Sequence, residues 1–213
     1  MKTFEELGVS EEIRRAIDEL GFDHPMPVQE EVIPYLLGQG NDVIALAQTG
    51  TGKTAAYGIP VIQKTDAESK ETQALILSPT RELCLQIADD LNAFAKYIPH
   101  LHVLPVYGGA SIETQIRSLR HGVQIIVATP GRLIDLMKRG VANLDHVKNV
   151  VLDEADEMLN MGFYKDVRGI IDLLKSRESL SMFSATISRE VMDIGWLYQH
   201  NAEEITVQPQ EES

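Results

Sequence analysis

Cysteine is almost missing from this sequence. Cys84 stands alone among 213 residues, which excludes an internal disulfide and any fold held by cross-links. Long hydrophobic runs are missing too. The longest, such as residues 123–128, fall far short of the ~20 residues that a membrane-spanning helix requires. Residues 1–10 lack the charged, apolar and small-residue succession of a secretory signal, so the expected location is the cytosol. Cationic side chains are scarce, 19 Lys and Arg against 32 Asp and Glu, for a formal net charge of -13. Such a chain does not hold nucleic acid by long-range attraction, and any grip on a polyanion has to be local. The six histidines show no spacing that gathers ligands with cysteine or carboxylates, and no protein-ligated transition metal is expected.

What is present fits an ordinary globular protein, with 44% hydrophobic and 24% charged residues. Folded as one unit, a chain of this length buries about 70% of its unfolded surface. Ser10 suits a helix N-cap, Glu11 and Glu12 suit the first turn, and Ile13, Ile17 and Leu20 share one face before Gly21. A second helix starts at Pro27 and buries Val28, Val32, Leu36 and Leu37, with Pro34 as an expected kink. From Asp42 onward, strand-length apolar runs at 43–47, 74–78, 103–107, 124–128, 150–152 and 180–183 alternate with helical patterns. These lie at 53–62, 81–97, 112–120, 132–139, 164–174 and 189–198. Strands apolar on both faces and separated by helices predict an open, mostly parallel sheet covered on both sides, an α/β fold. Cys84 reads as a small buried hydrophobe. Trp196, in a helical pattern with Met192, reads as a packing residue, and Glu203, Glu204, Glu211 and Glu212 read as a solvated acidic end.

Open parallel sheets bind ligands beyond the carboxyl ends of their strands. Each predicted strand gives way there to small, polar or charged residues. The first such loop, Ala47-Gln48-Thr49-Gly50-Thr51-Gly52-Lys53-Thr54, has the strand, glycine-rich turn and helix order of a phosphate cradle. Lys53 would hold the β and γ phosphates, and Thr54 would offer its hydroxyl to Mg²⁺. Ala47 replaces the first glycine of the strict pattern, and two glycines also suit a plain tight turn. Asp153 and Glu154 end another strand, where a P-loop enzyme keeps a carboxylate for Mg²⁺ and a second acid to orient or deprotonate water. Alone, that pair would equally serve as helix N-terminal charge. Ser184-Ala185-Thr186 ends a third strand and by itself is an unremarkable cap.

Taken together, these segments resemble the N-terminal RecA-like domain of the DEAD-box RNA helicases over essentially the whole chain. AQTGTGKT (47–54), PTREL (79–83), TPGR (129–132), DEAD (153–156) and SAT (184–186) resemble motifs I, Ia, Ib, II and III, in family order. Residues 21–29, GFDHPMPVQ, resemble the Q motif. The resemblance implies that Gln29 reads the adenine edge, that Phe22 stacks on the base with Phe4 behind it, and that Pro27 belongs to the same pocket. The residues alone would place Phe22 in the core and Gln29 in solvent. It further implies RNA contact through Pro79, Thr80, Arg81, Gly109, Thr129, Pro130, Gly131 and Arg132, with helix N-termini supplying phosphate donors. The alternative for Arg81 and Arg132 is pairing with nearby carboxylates. Departures from common family wording are Cys84, Glu157 and Asn160.

The expected function is therefore that of an ATP- and Mg²⁺-dependent RNA helicase domain, in which Lys53, Asp153 and Glu154 serve hydrolysis. Ser184 and Thr186, through Asp156, would couple hydrolysis to strand separation. Residues 1–40 are expected to form an extension packed on a core of 41–207, with 208–213 leading to a second RecA-like domain that supplies the arginines for turnover. The isolated chain is expected to be monomeric, to bind nucleotide and to turn it over slowly. Two other classes remain open: a P-loop enzyme phosphorylating a small acceptor, which would have an acceptor lid in place of TPGR and SAT, and a silent scaffold, which would have lost Lys53 or the acidic pair.

Overall fold

Strands that are short and apolar on both sides pair in parallel beneath two layers of helix. The computed structural model describes residues 1–48, 50 and 52–207. Its sheet comprises β1 (Val43–Leu46), β2 (Ala74–Leu77), β3 (Val103–Val106), β4 (Ile125–Ala128), β5 (Asn149–Asp153), β6 (Ser179–Ser184) and β7 (Glu203–Thr206). Their order is β3-β4-β2-β5-β6-β1-β7, and every pairing is parallel. Parallel pairing brings all carboxyl ends to one edge. There β3, β4 and β2 form one group, and β5, β6 and β1 the other.

The helices are α1 (Glu11–Glu19), α2 (Pro27–Leu37), α3 (Lys53–Gln63), α4 (Arg81–Phe94), α5 (Ile112–His121), α6 (Pro130–Lys138), α7 (Ala155–Asn160), α8 (Tyr164–Asp172) and α9 (Arg189–Tyr198). Alternation along each strand divides the core in two. Ala74 and Ile76 of β2 join a cluster with α1 to α4, whereas Leu75 and Leu77 join a cluster with α6 to α9. Phe4, Leu7, Val28 and Val32 are buried in the first cluster, so the segment before β1 shares the core of the sheet. Asp42 clamps the amino ends of the strands. Its buried carboxylate accepts from the Leu180 amide at 2.8 Å and the His200 amide at 2.7 Å.

Two readings need correction and one needs completing. Glu203 and Glu204 are exposed, as a solvated acidic end requires, but they also open β7, an edge strand whose one inward side chain is Ile205. Glu211 and Glu212 lie outside the described residues. Trp196 is not a packing residue: it is 86% exposed, because α9 buries Val191, Ile194 and Tyr198 and turns the next positions outward. Finally, α7 carries a helix where the sequence showed only an acidic strand end. Pro34 does lie within α2, and Cys84 is fully buried, its thiol pushed up to about 12 by desolvation.

Candidate functional site

Lys53 opens α3 at the carboxyl end of β1, and its side chain turns toward the end of β5. Its Nζ lies 2.8 Å from Asp153 Oδ1 and 3.8 Å from Glu154 Oε1. Asp153 is wholly buried, and its other oxygen accepts a hydrogen bond from the Tyr57 hydroxyl at 2.7 Å. Tyr57 lies one turn beyond Lys53 on α3, so both reach the same carboxylate. Burial, and then the negative charge of Asp153, raise the Tyr57 phenol well above its ordinary value, which keeps it a proton donor. Apart from the Lys53 ammonium, Asp153 Oδ1 has no partner among the described residues. A carboxylate oxygen held beside the Thr54 end of α3, with acceptor capacity to spare, fits a hard cation such as Mg²⁺. No group of three or more His, Cys, Asp or Glu gathers around one point among the described residues, so such a cation would draw further ligands from water and phosphate.

Glu154 caps α7 in the left-handed region, φ 50° and ψ 51°. That conformation is uncommon for a residue with a Cβ and costs of order 1 kcal/mol or more. It turns the backbone sharply after β5, so Asp153 points down to Lys53 while Glu154 stays partly exposed at the cleft.

The cleft has a volume of about 570 Å³. One end is lined by Gly50, Gly52, Lys53, Thr54 and Glu154, and the other by Phe22, Asp23, His24, Met26 and Gln29. Gln29 is buried and fixed at both ends: Oε1 accepts from the Met26 amide at 2.9 Å, and Nε2 donates to the Gly52 carbonyl at 3.2 Å. Each end keeps one hydrogen-bonding position. Gly52 has φ 82°, and a Cβ there would come within 2.6 Å of Gln29 Nε2 and 2.7 Å of Met26 Sδ. The glycine-rich loop and the Gln29 segment are thus locked together. Phe22 packs between buried Phe4 at 6.3 Å and Phe94 at 5.9 Å. Leu83, Gln86, Asp90 and Phe94 add a wall from α4, and burial together with neighbouring Asp89 raises the Asp90 carboxyl.

Other predicted positions fall around this cleft. Pro27 is the first residue of α2, exposed but outside the lining. Ala47 is buried, donating its amide to the Ser184 carbonyl at 3.1 Å, and Gln48 is exposed. Thr49 and Thr51 lie outside the described residues. At the end of β6, buried Ser184 accepts from the Asp156 amide at 3.2 Å and donates to the Thr186 carbonyl at 2.7 Å. Thr186 donates to Asp156 Oδ2 from its amide at 3.2 Å and its hydroxyl at 2.9 Å. The strand that holds the acids is therefore laced to the strand beside it.

The second group of strand ends forms a separate surface. Thr80 caps α4, accepting from the Leu83 amide at 3.2 Å, with Pro79 buried before it. Exposed Arg81 lies 5.0 Å over the Tyr107 ring. Pro130 starts α6 behind its N-cap Thr129, and Gly109 and Gly131 are exposed. Arg132 donates to the Ala110 carbonyl at 3.3 Å and to Gln115 Oε1 at 3.0 Å. Neither arginine forms an ion pair with a carboxylate among the described residues, so both charges remain uncompensated. Sequence reasoning missed Tyr57, Gln115 and the α4 wall. The signal for Tyr57 was its spacing from Lys53; a glutamine within α5 gave none.

The chain is 44% identical over 211 residues to the DEAD-box ATP-dependent RNA helicase CshA of Geobacillus kaustophilus, covering 99% of this chain and 45% of that protein. It is 43% identical over 206 residues to the ATP-dependent RNA helicase DeaD of Escherichia coli, covering 97% of this chain and 33% of the relative. The chain thus spans less than half the length of these relatives. Among solved structures, a DEAD box protein from Methanococcus jannaschii matches with a TM-score of 0.89 and 40% identity, over 97% of this chain and 56% of that one. A hypothetical ATP-dependent RNA helicase from Sulfolobus tokodaii matches with a TM-score of 0.85 and 39% identity, over 93% and 57%. The family model for DEAD/DEAH box helicases covers residues 26–194, which takes in Gln29, Lys53, Asp153 and Ser184 alike, and the chain belongs to that family.

Proposed function

We propose that this chain is the nucleotide- and RNA-binding portion of an ATP-dependent RNA helicase. Residues 1–40 pack on a RecA-like core of 41–207, and residues 208–213 lead to a second RecA-like domain in the longer protein. The observation that carries this reading is the buried Asp153, held between Tyr57 and Lys53, with Lys53 lining a cleft that also takes in Phe22 and Gln29.

Adenine lies at Phe22, with the remaining donor and acceptor of Gln29 reading its edge. The polyphosphate lies against the loop of 47–54, where backbone amides at the start of α3 face it. Lys53 exchanges its contact with Asp153 for the β and γ phosphates, which releases Oδ1. Asp153 and the Thr54 hydroxyl would hold Mg²⁺, largely through water, and the ion would supply charge neutralisation on the phosphates. Glu154, partly exposed beside the phosphate end, orients the attacking water and accepts its proton. No arginine lines the cleft among the described residues, and a supplied arginine is worth about 10³ to 10⁵ in turnover. Slow hydrolysis by this chain alone follows.

RNA lies across the second group of strand ends. Arg81 and Arg132, with the amides opening α4 and α6, contact phosphates without reading sequence. The Ser184-Thr186-Asp156 lacing ties the end of β6 to the strand that carries the acids, so that a change at the phosphates moves the domain surface.

Titration with ATP, GTP and AMP, each with and without single-stranded RNA, tests the reading. ATP should bind tighter than both others. Equal affinity for AMP would remove the polyphosphate assignment, and equal affinity for GTP would remove the Gln29 assignment.

A further inference from the structure

Half of the exposed large hydrophobic side chains of the described chain fall between residues 187 and 197: Ile187, Met192, Trp196 and Leu197. Met192, Gly195, Trp196 and Gln199 form one stripe at i, i+3, i+4 and i+7. With Ile44 of β1 and Glu204 of β7 opposite, the stripe walls a groove of about 300 Å³. Ile187, Met192 and Trp196 line this groove, and exposed apolar side chains gathered in one place mark a contact surface rather than ordinary surface scatter.

Position and charge decide what fits. Gln199 Nε2 donates to the Val43 and Leu180 carbonyls at 3.0 and 2.7 Å, at the amino ends of β1 and β6. The groove runs from Ile187, just past the carboxyl end of β6, to Gln199 at the opposite edge, and it shares no lining residue with the nucleotide cleft, so its occupant leaves that cleft open. Glu204 is the one charged residue that lines the groove. Along α9 and β7 the single arginine, Arg189 at the start of the helix, is outnumbered by Glu190, Asp193, Glu203 and Glu204, while Arg168 and Arg177 are engaged with Tyr198 on the α8 side. A polyanion meets net negative charge here. A second copy of this chain brings the same acids and the same net charge of -13. Strand addition at the free edge of β7 is opposed by the outward charges of Glu203 and Glu204.

We propose that the groove between α9 and β7 docks a basic amphipathic helix of a protein partner, with Trp196 as the central apolar anchor and Glu204 pairing with its cations.

Trp196 is the sole tryptophan, so its emission reports on the groove directly. The chain is titrated with a synthetic Leu/Lys peptide patterned as an amphipathic helix, a scrambled peptide of the same composition, and a Leu/Glu peptide of the same pattern. A blue shift with the patterned Leu/Lys peptide alone, weakened roughly tenfold by Glu204→Lys or Met192→Ser, is expected. Far-UV circular dichroism of both variants should match the parent, since both positions are exposed. The proposal is overturned if emission is unchanged with every peptide or if the scrambled peptide gives the same isotherm. A blue shift with rising protein concentration in the absence of peptide would assign the groove to self-association and overturn it equally.

Discussion

Tyr57→Phe removes one oxygen and nothing else. The ring packs against Phe183 at a centroid distance of 5.0 Å, and phenylalanine keeps that contact without opening a cavity. What is lost is the 2.7 Å hydrogen bond to Asp153 Oδ2, made to a carboxylate with no exposed surface. Hydrogen bonds to charged groups contribute about 1.5–3 kcal/mol, and water cannot replace the donor here, so a loss of about 2 kcal/mol is expected. For a domain of this size, each kcal/mol moves Tm by about 2–4 °C, giving a fall of about 4–8 °C. Urea unfolding should show a lower midpoint at unchanged m. A double-mutant cycle with Asp153→Asn should return a coupling of about 1–2 kcal/mol. The pH dependence has a definite sign. Because folding raises the Tyr57 phenol above its ordinary 10.0, its contribution is complete below pH 10 and is lost as pH rises toward the folded value. The variant should lose less stability than the parent on passing above pH 10. Additive effects of the two substitutions, or a midpoint change worth under about 0.5 kcal/mol, would refute the claim that Tyr57 holds the acid.

Gly52→Ala should weaken ATP binding and lower stability by about 1–3 kcal/mol, because its Cβ meets Gln29 and Met26 in a backbone conformation that already disfavours side chains. Gly50→Ala, with nothing within 4 Å, should cost less; equal losses in calorimetry would contradict the locking of the two segments. Asp42→Ala should destabilise by about 3 kcal/mol, since two amides lose a charged acceptor, yet leave ATP affinity in titration calorimetry unchanged. Lys53→Ala should abolish nucleotide binding, whereas Glu154→Gln should retain it and block hydrolysis in a protein carrying both RecA-like domains. Equal turnover by these two variants would contradict the roles assigned to them.

Much of this architecture was legible because the information is local. Six strands read as apolar runs, and each ends in residues that no buried strand would carry, so the ligand edge was visible before any contact was known. β7 escaped because an edge strand with one inward side chain, Ile205, shows no run, and its acids resemble those of a solvated tail. Trp196 escaped for the converse reason: helical spacing marks a face but does not say whether anything covers it. Asp42 and Tyr57 act across 138 and 96 residues of sequence, distances at which pattern carries no signal. Gln29 was assigned a partner through family likeness, yet the Met26 and Gly52 contacts that hold its amide came only with coordinates.

The left-handed turn at Glu154 has an evolutionary consequence. Glycine would relax that backbone, so the change that most eases folding at this position also deletes the carboxylate proposed to handle the attacking water. Stability and the proposed chemistry therefore pull in opposite directions at this one codon, and a library selected for stability alone would be expected to drift to glycine there and lose hydrolysis.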